Sequence, residues 1–367
     1  MSIKPDARAE ALRLRAFFEA AGAVPVEADI LQPAETLLDL YGEDIRARAY
    51  VTSDPLRGEQ MLRPDFTVPV VQMHMADGAE PARYTYAGEV FRRQEQDTGR
   101  PSEYLQVGYE VFDGSDPAAA DAEVFALFQE VLSPLGLRAA TGDIGVLKSA
   151  VMGLSTTERR KRALLRHIWR PRRFRALLDR FGGKAQAPAA RQALLAALDR
   201  GEDVFAKAGP ENGLRSRSEV EARLAALQED AAEPPIAASE VAVLNDILSL
   251  KEKLPHVVAN LGDIAVDLPA ILPAVERLKR RMEALSARGV DVADLDFETS
   301  YGRTQMEYYD GFVFGFYATS RADLPPVATG GRYDALTEVL GRGTSIPAVG
   351  GVIRPEVVAL LRAGGAA

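Results

Sequence analysis

The sequence predicts an α+β fold in which an antiparallel sheet is flanked by helices. Runs 83–92 and 104–112 alternate aromatic or β-branched residues with smaller or polar ones across a polar loop, which is typical of paired strands. The alternation returns at Phe312, Phe314 and Phe316, whereas residues 142 to 290 are rich in Ala, Leu and Arg at helical spacing. We therefore expect a core formed by residues 1–140 and 291–367, interrupted by a mainly helical elaboration at 141–290.

The second predicted strand carries an arrangement typical of a ligand site. Its two-residue period places Gln106, Gly108 and Glu110 on one face, and Val107 and Tyr109 on the other. A glycine between two polar side chains would leave room for a ligand against the backbone. We interpret this face as part of a binding pocket.

Composition excludes several classes of protein. The 367 residues include no cysteine, which rules out disulfides and thiolate metal sites and fits a reducing cytosol. His74, His167 and His256 are scattered without metal-ligand spacing, so we interpret them as structural or surface residues and expect no metal and no cofactor. No apolar run reaches the roughly 18 residues of a membrane helix. A cytoplasmic protein without membrane contact is predicted.

The distribution of charge bears on nucleic-acid binding. A net charge of −9 disfavours a surface that must meet a phosphate backbone. One basic segment, from Arg159 to Arg175, lies in a predicted helical stretch that a capping box of Ser155 and Glu158 would open. The segment is open to three interpretations: an RNA contact, a docking face for an acidic partner, or a solvated helix face.

Several motifs, in matching order and spacing, resemble those of histidyl-tRNA synthetases, which have the class II aminoacyl-tRNA synthetase fold. Residues 61–67 are similar to that family's Arg-Pro-Glu-Gly-Thr segment, and segments 307–311 and 330–334 are similar to its two histidine-specific signatures. Motif 2 is matched by Phe91, Arg92, Gly99, Arg100, Gln106, Gly108 and Glu110. The resemblance implies a class II core over most of the chain.

The same resemblance implies a histidine pocket. Its contacts to the α-amino group and imidazole would come from Asp65, Thr67, Gln106, Glu110, Tyr309 and Tyr333. Carboxylates pair with an ammonium group, and a carboxylate together with tyrosine hydroxyls can contact both imidazole nitrogens. Arg92 is a candidate for a residual anion contact.

The sequence departs from the synthetase pattern at the positions that would handle ATP. Gln94 replaces a glutamate, and Val357 stands where a phosphate-pairing arginine is expected. The catalytic arginine of the family aligns with Thr304; Arg303 precedes it by one residue, which a bulge could correct. We therefore predict no catalytic residues.

A synthetase-like core without the groups that handle ATP resembles the regulatory subunit of short-form ATP phosphoribosyltransferase, a relative of the synthetases. Because the sequence ends at Ala367, shortly after a motif 3-like region, we expect no C-terminal anticodon-binding domain. The resemblance implies a short catalytic subunit as partner, activation of that subunit in histidine biosynthesis, feedback inhibition by histidine, and pairing as a homodimer near Pro33. The alternatives are a reduced histidyl-tRNA synthetase and a free-standing histidine-binding regulator. Histidine would act either in the synthetase-like pocket or at a subunit interface.

Overall fold

The structure is a computed structural model that describes residues 4–35, 49–94, 101–206, 215–303 and 308–364. Within these ranges the strands are β1 (Val24–Pro25), β2 (Leu31–Pro33), β3 (Val51–Asp54), β4 (Gly58–Leu62), β5 (Ala82–Phe91), β6 (Glu103–Phe112), β7 (Arg138–Asp143), β8 (Lys251–Lys253), β9 (Asp296–Glu298), β10 (Phe312–Tyr317), β11 (Ala328–Arg332) and β12 (Ala348–Ile353). The helices are α1 (Lys4–Ala20), α2 (Thr67–Asp77), α3 (Pro117–Leu132), α4 (Ile144–Met152), α5 (Glu158–Arg166), α6 (Pro171–Phe181), α7 (Ala189–Asp199), α8 (Arg217–Ala232), α9 (Ala238–Ser249), α10 (Leu254–Asp267), α11 (Leu272–Ala287), α12 (Asp334–Leu340) and α13 (Pro355–Gly364).

A nine-stranded sheet forms the centre of the molecule. Its strand order is β1-β5-β6-β12-β11-β10-β7-β9-β8, and a separate sheet has the order β2-β4-β3. The predicted α+β fold with an antiparallel sheet is confirmed for the pairs from β5 to β7. Towards the edges the sheet also contains two parallel pairs, β1 with β5 and β7 with β9, so that the whole sheet is mixed.

The predicted hairpin is β5 and β6, in a register that places Gly88 opposite Gln106 and Tyr86 opposite Gly108. Strand β6 is buried on both faces from Gln106 onwards. On one face the ring of Tyr109 stacks on Phe18 of α1, with 5.1 Å between centroids. The polar face of β6 is therefore inside the protein, which removes its side chains from water.

Residues 141–290 form most of the helices, α4 to α11, and also supply β8 at one edge of the large sheet. Strand β7 crosses position 140. The inserted segment and the core thus contribute strands to the same sheet. The division into a core and an inserted elaboration stays a prediction.

The basic segment folds as two helices, α5 and α6, rather than one. The predicted capping box is wrong, because Thr157 is the N-cap of α5 and its side chain accepts a hydrogen bond from the backbone of Arg160. Ser155 lies earlier, with its N–H donating to Glu240. Within this segment Arg160 is 5% exposed and pairs with Asp230 at 2.7 Å, whereas Arg159, Arg162 and Arg166 are exposed. The three interpretations of the segment stay predictions.

No helix formed by the described residues is long and apolar enough to cross a membrane. Of the three histidines, His74 is buried, stacks on Phe112 at 4.0 Å and lies 3.1 Å from the Tyr84 hydroxyl through Nδ1. His74 therefore has the structural role that was expected of it. The predicted cytoplasmic location stays a prediction.

A network of buried ion pairs joins three parts of the fold beside β11. The Asp121 carboxylate of α3 accepts a 2.7 Å hydrogen bond from Arg281 of α11 and another from Arg332 of β11. Arg281 also donates to Asp143 at 2.7 Å. Burial alone would lower the pKa of Arg332, but Asp121 and Asp334 raise that pKa above its ordinary value. Asp121 is therefore the anion shared by two buried guanidinium groups.

We predict that Asp121→Ala lowers the free energy of unfolding by about 3–5 kcal/mol, because it leaves two buried arginines short of a counter-ion. Urea denaturation followed by circular dichroism measures this change. Asp323→Ala is the matched control, since it breaks the exposed pair of Asp323 and Arg321 and should cost below about 1 kcal/mol. Equal losses in the two variants would contradict the proposed role of the network.

Candidate functional site

The carboxylate of Glu110 is the centre of the candidate site. Glu110 is 1% exposed and lies two residues before the end of β6. Its Oε1 accepts hydrogen bonds from the hydroxyls of Thr67 at 2.9 Å and Tyr86 at 2.8 Å. Its Oε2 accepts a hydrogen bond from the Tyr333 hydroxyl at 2.6 Å. A buried carboxylate thus has a hydroxyl donor on each oxygen, as burial of this group requires.

The three donors come from separate parts of the chain. Thr67 is the first residue of α2, Tyr86 lies in β5, and Tyr333 directly follows β11. Burial and the nearby Glu110 raise the pKa of Tyr86 and of Tyr333 well above the ordinary value, so both hydroxyls keep their protons and remain donors. We call Glu110 with Thr67, Tyr86 and Tyr333 the hydroxyl cage.

Two glycines make the hydroxyl cage possible. A Cβ at Gly350, opposite Glu110 on β12, would lie 1.5 Å from the Glu110 Oε2. A Cβ at Gly108 would lie 2.1 Å from Cζ of Tyr86. The expectation that Gly108 leaves room for a ligand is therefore wrong, because the ring of Tyr86 fills that space.

The remaining residues of the predicted pocket are also buried. Asp65 is 3% exposed and its charge adds to the rise in the pKa of Glu110, while Tyr309 is 4% exposed and its pKa is raised by burial and by Glu110. Gln106 is 1% exposed, and its Oε1 has no hydrogen-bond partner among the described residues. Arg92 donates to the Pro64 carbonyl at 2.8 Å, and its charge counteracts the rise in the pKa of Tyr309.

The two histidine-signature segments contact each other through their aspartates and backbone. Asp310 accepts hydrogen bonds from the N–H groups of Asp334 and Ala335 at 3.1 and 3.2 Å, and so caps the start of α12. Arg332 bonds Asp121, whereas its neighbour Tyr333 bonds Glu110. Asp310 and Arg332 are thus structural residues that position Tyr333, while Glu307 lies outside the described residues.

The positions of the expected ATP groups are occupied differently. Val357 is 6% exposed in the core, and the Gln94 amide donates to the Arg92 carbonyl at 3.3 Å. Arg303 donates to the Ile168 carbonyl at 2.6 Å, with its guanidinium carbon 4.9 Å from the centre of the Phe174 ring. Arg303 is therefore held against the helical segment. Thr304, Gly99 and Arg100 lie outside the described residues.

A cavity of about 420 Å³ lies beside this site but contains none of the six predicted histidine contacts. Charged residues dominate its lining, which includes Lys148, Arg277, Arg280, Asp310 and Asp334. The ion pairs of Asp121 also face it. The described residues contain no group of three or more His, Cys, Asp or Glu side chains arranged to hold a metal ion.

The ionisation of Glu110 determines which ligands the hydroxyl cage can accept. Burial raises the pKa of Glu110 to about 7, although the hydrogen bonds from Tyr333, Tyr86 and Thr67 oppose the rise. A ligand that brings a positive charge or an N–H donor would favour the ionised form. The site therefore suits an ammonium or imidazole group better than an anion.

Sequence reasoning missed Tyr86, the third hydroxyl on Glu110. A signal was present: Tyr86 lies opposite Gly108 in the predicted hairpin, and an aromatic residue commonly covers a glycine on the neighbouring strand. The stacking of Tyr86 on Phe66, at 4.3 Å between centroids, depends on a segment 20 positions away and could not be foreseen from the hairpin alone.

We predict that Glu110 gives the protein a pH-dependent stability. Because the folded-state pKa of about 7 exceeds the ordinary 4.5, the protonated group favours folding, and this contribution is lost as the pH rises through 7. Glu110→Gln cannot ionise, so wild type should lose about 2 kcal/mol relative to the variant between pH 5 and pH 8. Urea unfolding at both pH values measures this difference, and Glu338→Gln, at an exposed position, should follow wild type. If the free energy of unfolding changes equally with pH in wild type and in Glu110→Gln, the raised pKa of Glu110 is contradicted.

Comparison with known proteins gives the same fold and a family. The family model described as histidyl-tRNA synthetase matches residues 6–252 and 220–358. A solved structure titled as an ATP phosphoribosyltransferase regulatory subunit/histidyl-tRNA synthetase from Bacillus halodurans has a TM-score of 0.67 at 20% identity, covering 98% of this chain and 79% of that one. Histidyl-tRNA synthetase from Nostoc has a TM-score of 0.64 at 18% identity, covering 98% and 73%. At these identities the structures establish the class II fold.

Sequence similarity to a curated relative is more specific. The ATP phosphoribosyltransferase regulatory subunit of Brucella ovis is 30% identical over 356 residues, covering 92% of this chain and 93% of the relative. The chain thus belongs to the ATP phosphoribosyltransferase regulatory subunit family, a histidyl-tRNA synthetase-like group with the class II fold.

Proposed function

We propose that this chain is a non-catalytic subunit that activates a short-form ATP phosphoribosyltransferase catalytic subunit and transmits feedback inhibition by histidine. The observation that carries the proposal is the hydroxyl cage, in which a buried carboxylate with tyrosine hydroxyls is retained. The groups that would handle ATP are replaced. Such a site suits a sensor of a small cation better than a site of adenylation.

The lack of catalysis is supported by three positions. An isopropyl group at Val357 and an amide at Gln94 supply neither the charge for a polyphosphate nor that for an exocyclic amine. Arg303 has a pKa lowered to about 10 by burial and by Arg175, and its Nε is already bonded to Ile168. None of these three side chains is placed to stabilise a transferring phosphate.

Histidine is the proposed effector because its functional groups match those of the site. Its ammonium and imidazole N–H groups are donors, and the ionised Glu110 carboxylate with nearby Asp65 is a cluster of acceptors. Histidine would favour one of two states of the assembly, since an effector shifts an equilibrium only through its different affinities for the two states. A histidine site at a subunit interface is the alternative, and would leave the hydroxyl cage without a regulatory role.

A homodimer is part of the proposal. Pro33 lies in β2 of the small sheet, where large apolar side chains are exposed on neighbouring residues. These are Ile30 and Leu31, each 44% exposed. Exposed apolar side chains shortly before Pro33 support an interface with a second copy.

The direct test is phosphoribosyl-ATP formation by the short catalytic subunit from the same source, with and without this chain and then with histidine. We expect activation by the chain and reversal by histidine. Charging of histidine tRNA is measured in parallel. Charging without activation would show a reduced synthetase, and histidine binding without either activity would show a free-standing regulator.

We also predict that Glu110→Gln leaves activation intact but weakens inhibition by histidine by about tenfold or more, because a charge-assisted contact is lost. Inhibition curves of the reconstituted complex measure this effect. Glu338→Gln on α12 is the same substitution at an exposed position. The complex that contains this variant should be inhibited by histidine as strongly as the wild-type complex. Unchanged inhibition in Glu110→Gln would place the histidine site at a subunit interface instead.

A further inference from the structure

A second cavity, of about 470 Å³, lies within the helical segment between α5, α6, α7 and α8. Its lining includes six arginines and a single acidic residue. The lining residues are Arg159, Arg160, Arg162, Ala163, Arg166, Arg180, Phe181, Arg191, Ala226 and Asp230. A concave surface with this excess of guanidinium groups is unusual in a protein whose net charge is −9.

The single anion of this cavity is already paired. Asp230 Oδ1 accepts from Arg160 Nε at 2.7 Å, and Oδ2 accepts from Arg191 Nη2 at 2.6 Å. Arg160 also donates to the backbone carbonyls of Asp230, Glu233 and Pro234, which satisfies its remaining nitrogens. This group lies on one side of the cavity, and its single negative charge leaves an excess of five positive charges among the six arginines and one aspartate of the lining.

The other four arginines have no acidic partner within the lining. Arg159, Arg162 and Arg166 are exposed, and Arg180 is half-buried. The Arg180 Nε is buried and has no hydrogen-bond partner among the described residues. Burial lowers the pKa of Arg180, and the charges of Arg191, Arg160 and Arg159 lower it further while Asp230 opposes them. Like charges thus converge on one concave surface, at a cost that a bound anion would remove.

We propose that this arginine cavity binds a small molecule carrying two or more linked phosphates. Guanidinium groups donate pairs of parallel hydrogen bonds to phosphate oxygens, so several arginines around one cavity suit several phosphates. The volume lies within the range of about 300–1,000 Å³ that is usual for small-molecule sites. An RNA backbone would require an extended basic surface, which the overall acidity disfavours. The inference does not depend on the proposed regulatory function.

Isothermal titration of sodium tripolyphosphate into the full chain, at an ionic strength held constant with NaCl, tests the proposal. We expect saturable binding of one tripolyphosphate per chain. The double variant Arg162→Gln/Arg166→Gln removes two exposed arginines of the lining and should weaken binding by about tenfold or more. Arg180→Gln should also weaken binding, with circular dichroism to confirm that it folds.

The matched control is Arg172→Gln/Arg173→Gln. This variant removes the same charge from the same basic segment, at exposed positions outside the lining, and should bind like wild type. Equal weakening in both double variants would overturn the proposal, because it would show a general effect of positive charge. An absence of saturable tripolyphosphate binding would overturn the proposal as well. An RNA hairpin is titrated in parallel. If only the RNA hairpin binds, and binds more weakly to Arg162→Gln/Arg166→Gln, the arginines form an RNA contact and the proposal is wrong.

Discussion

A carboxylate that is taken out of water must receive hydrogen bonds from the protein, and Glu110 receives three. Each comes from a different segment, so the hydroxyl cage can exist only when α2, β5, β6 and the turn after β11 are in place. Gly350 is required beside it, because a side chain there would occupy the position of the carboxylate. Much of the central sheet is thereby arranged around one buried acid.

Buried charged groups also need partners next to the hydroxyl cage, where the buried groups are arginines and their partner is the carboxylate of Asp121. Arg281 and Arg332 are 4% and 7% exposed, and both direct their guanidinium groups at Asp121. Because Arg332 is held by Asp121, the next residue, Tyr333, is directed to Glu110. The ion pairs therefore fix the geometry of the candidate site from outside it.

Sequence patterns predicted the parts of this arrangement that depend on local periodicity. The ranges of β5 and β6, the polar face of β6 and the alternating strand at Phe312–Phe316 follow from a two-residue period. The six candidate site residues were proposed through motif resemblance, which relates distant segments, whereas their burial was not predicted from the sequence. Tyr86 was missed as a residue of the candidate site because its partner Glu110 lies 24 positions away. Arg160 was missed as a buried structural residue because its partner Asp230 lies 70 positions away. The N-cap at Thr157 was missed because three hydroxyl residues, Ser155, Thr156 and Thr157, precede the same helix. The tertiary contact of Ser155 with Glu240, which takes Ser155 away from the cap position, could not be foreseen from the local sequence.

The central claim is that the hydroxyl cage around Glu110 binds histidine, and direct titration of L-histidine into the isolated chain tests it. The proposal predicts one histidine per chain, bound more tightly at pH 8 than at pH 6 because the pKa of Glu110 is about 7 and the ionised form is the acceptor. Tyr333→Phe, which removes the 2.6 Å donor, should alter the affinity and shift its pH dependence towards higher pH. Histidine binding that is independent of pH and unchanged in Tyr333→Phe would contradict the claim.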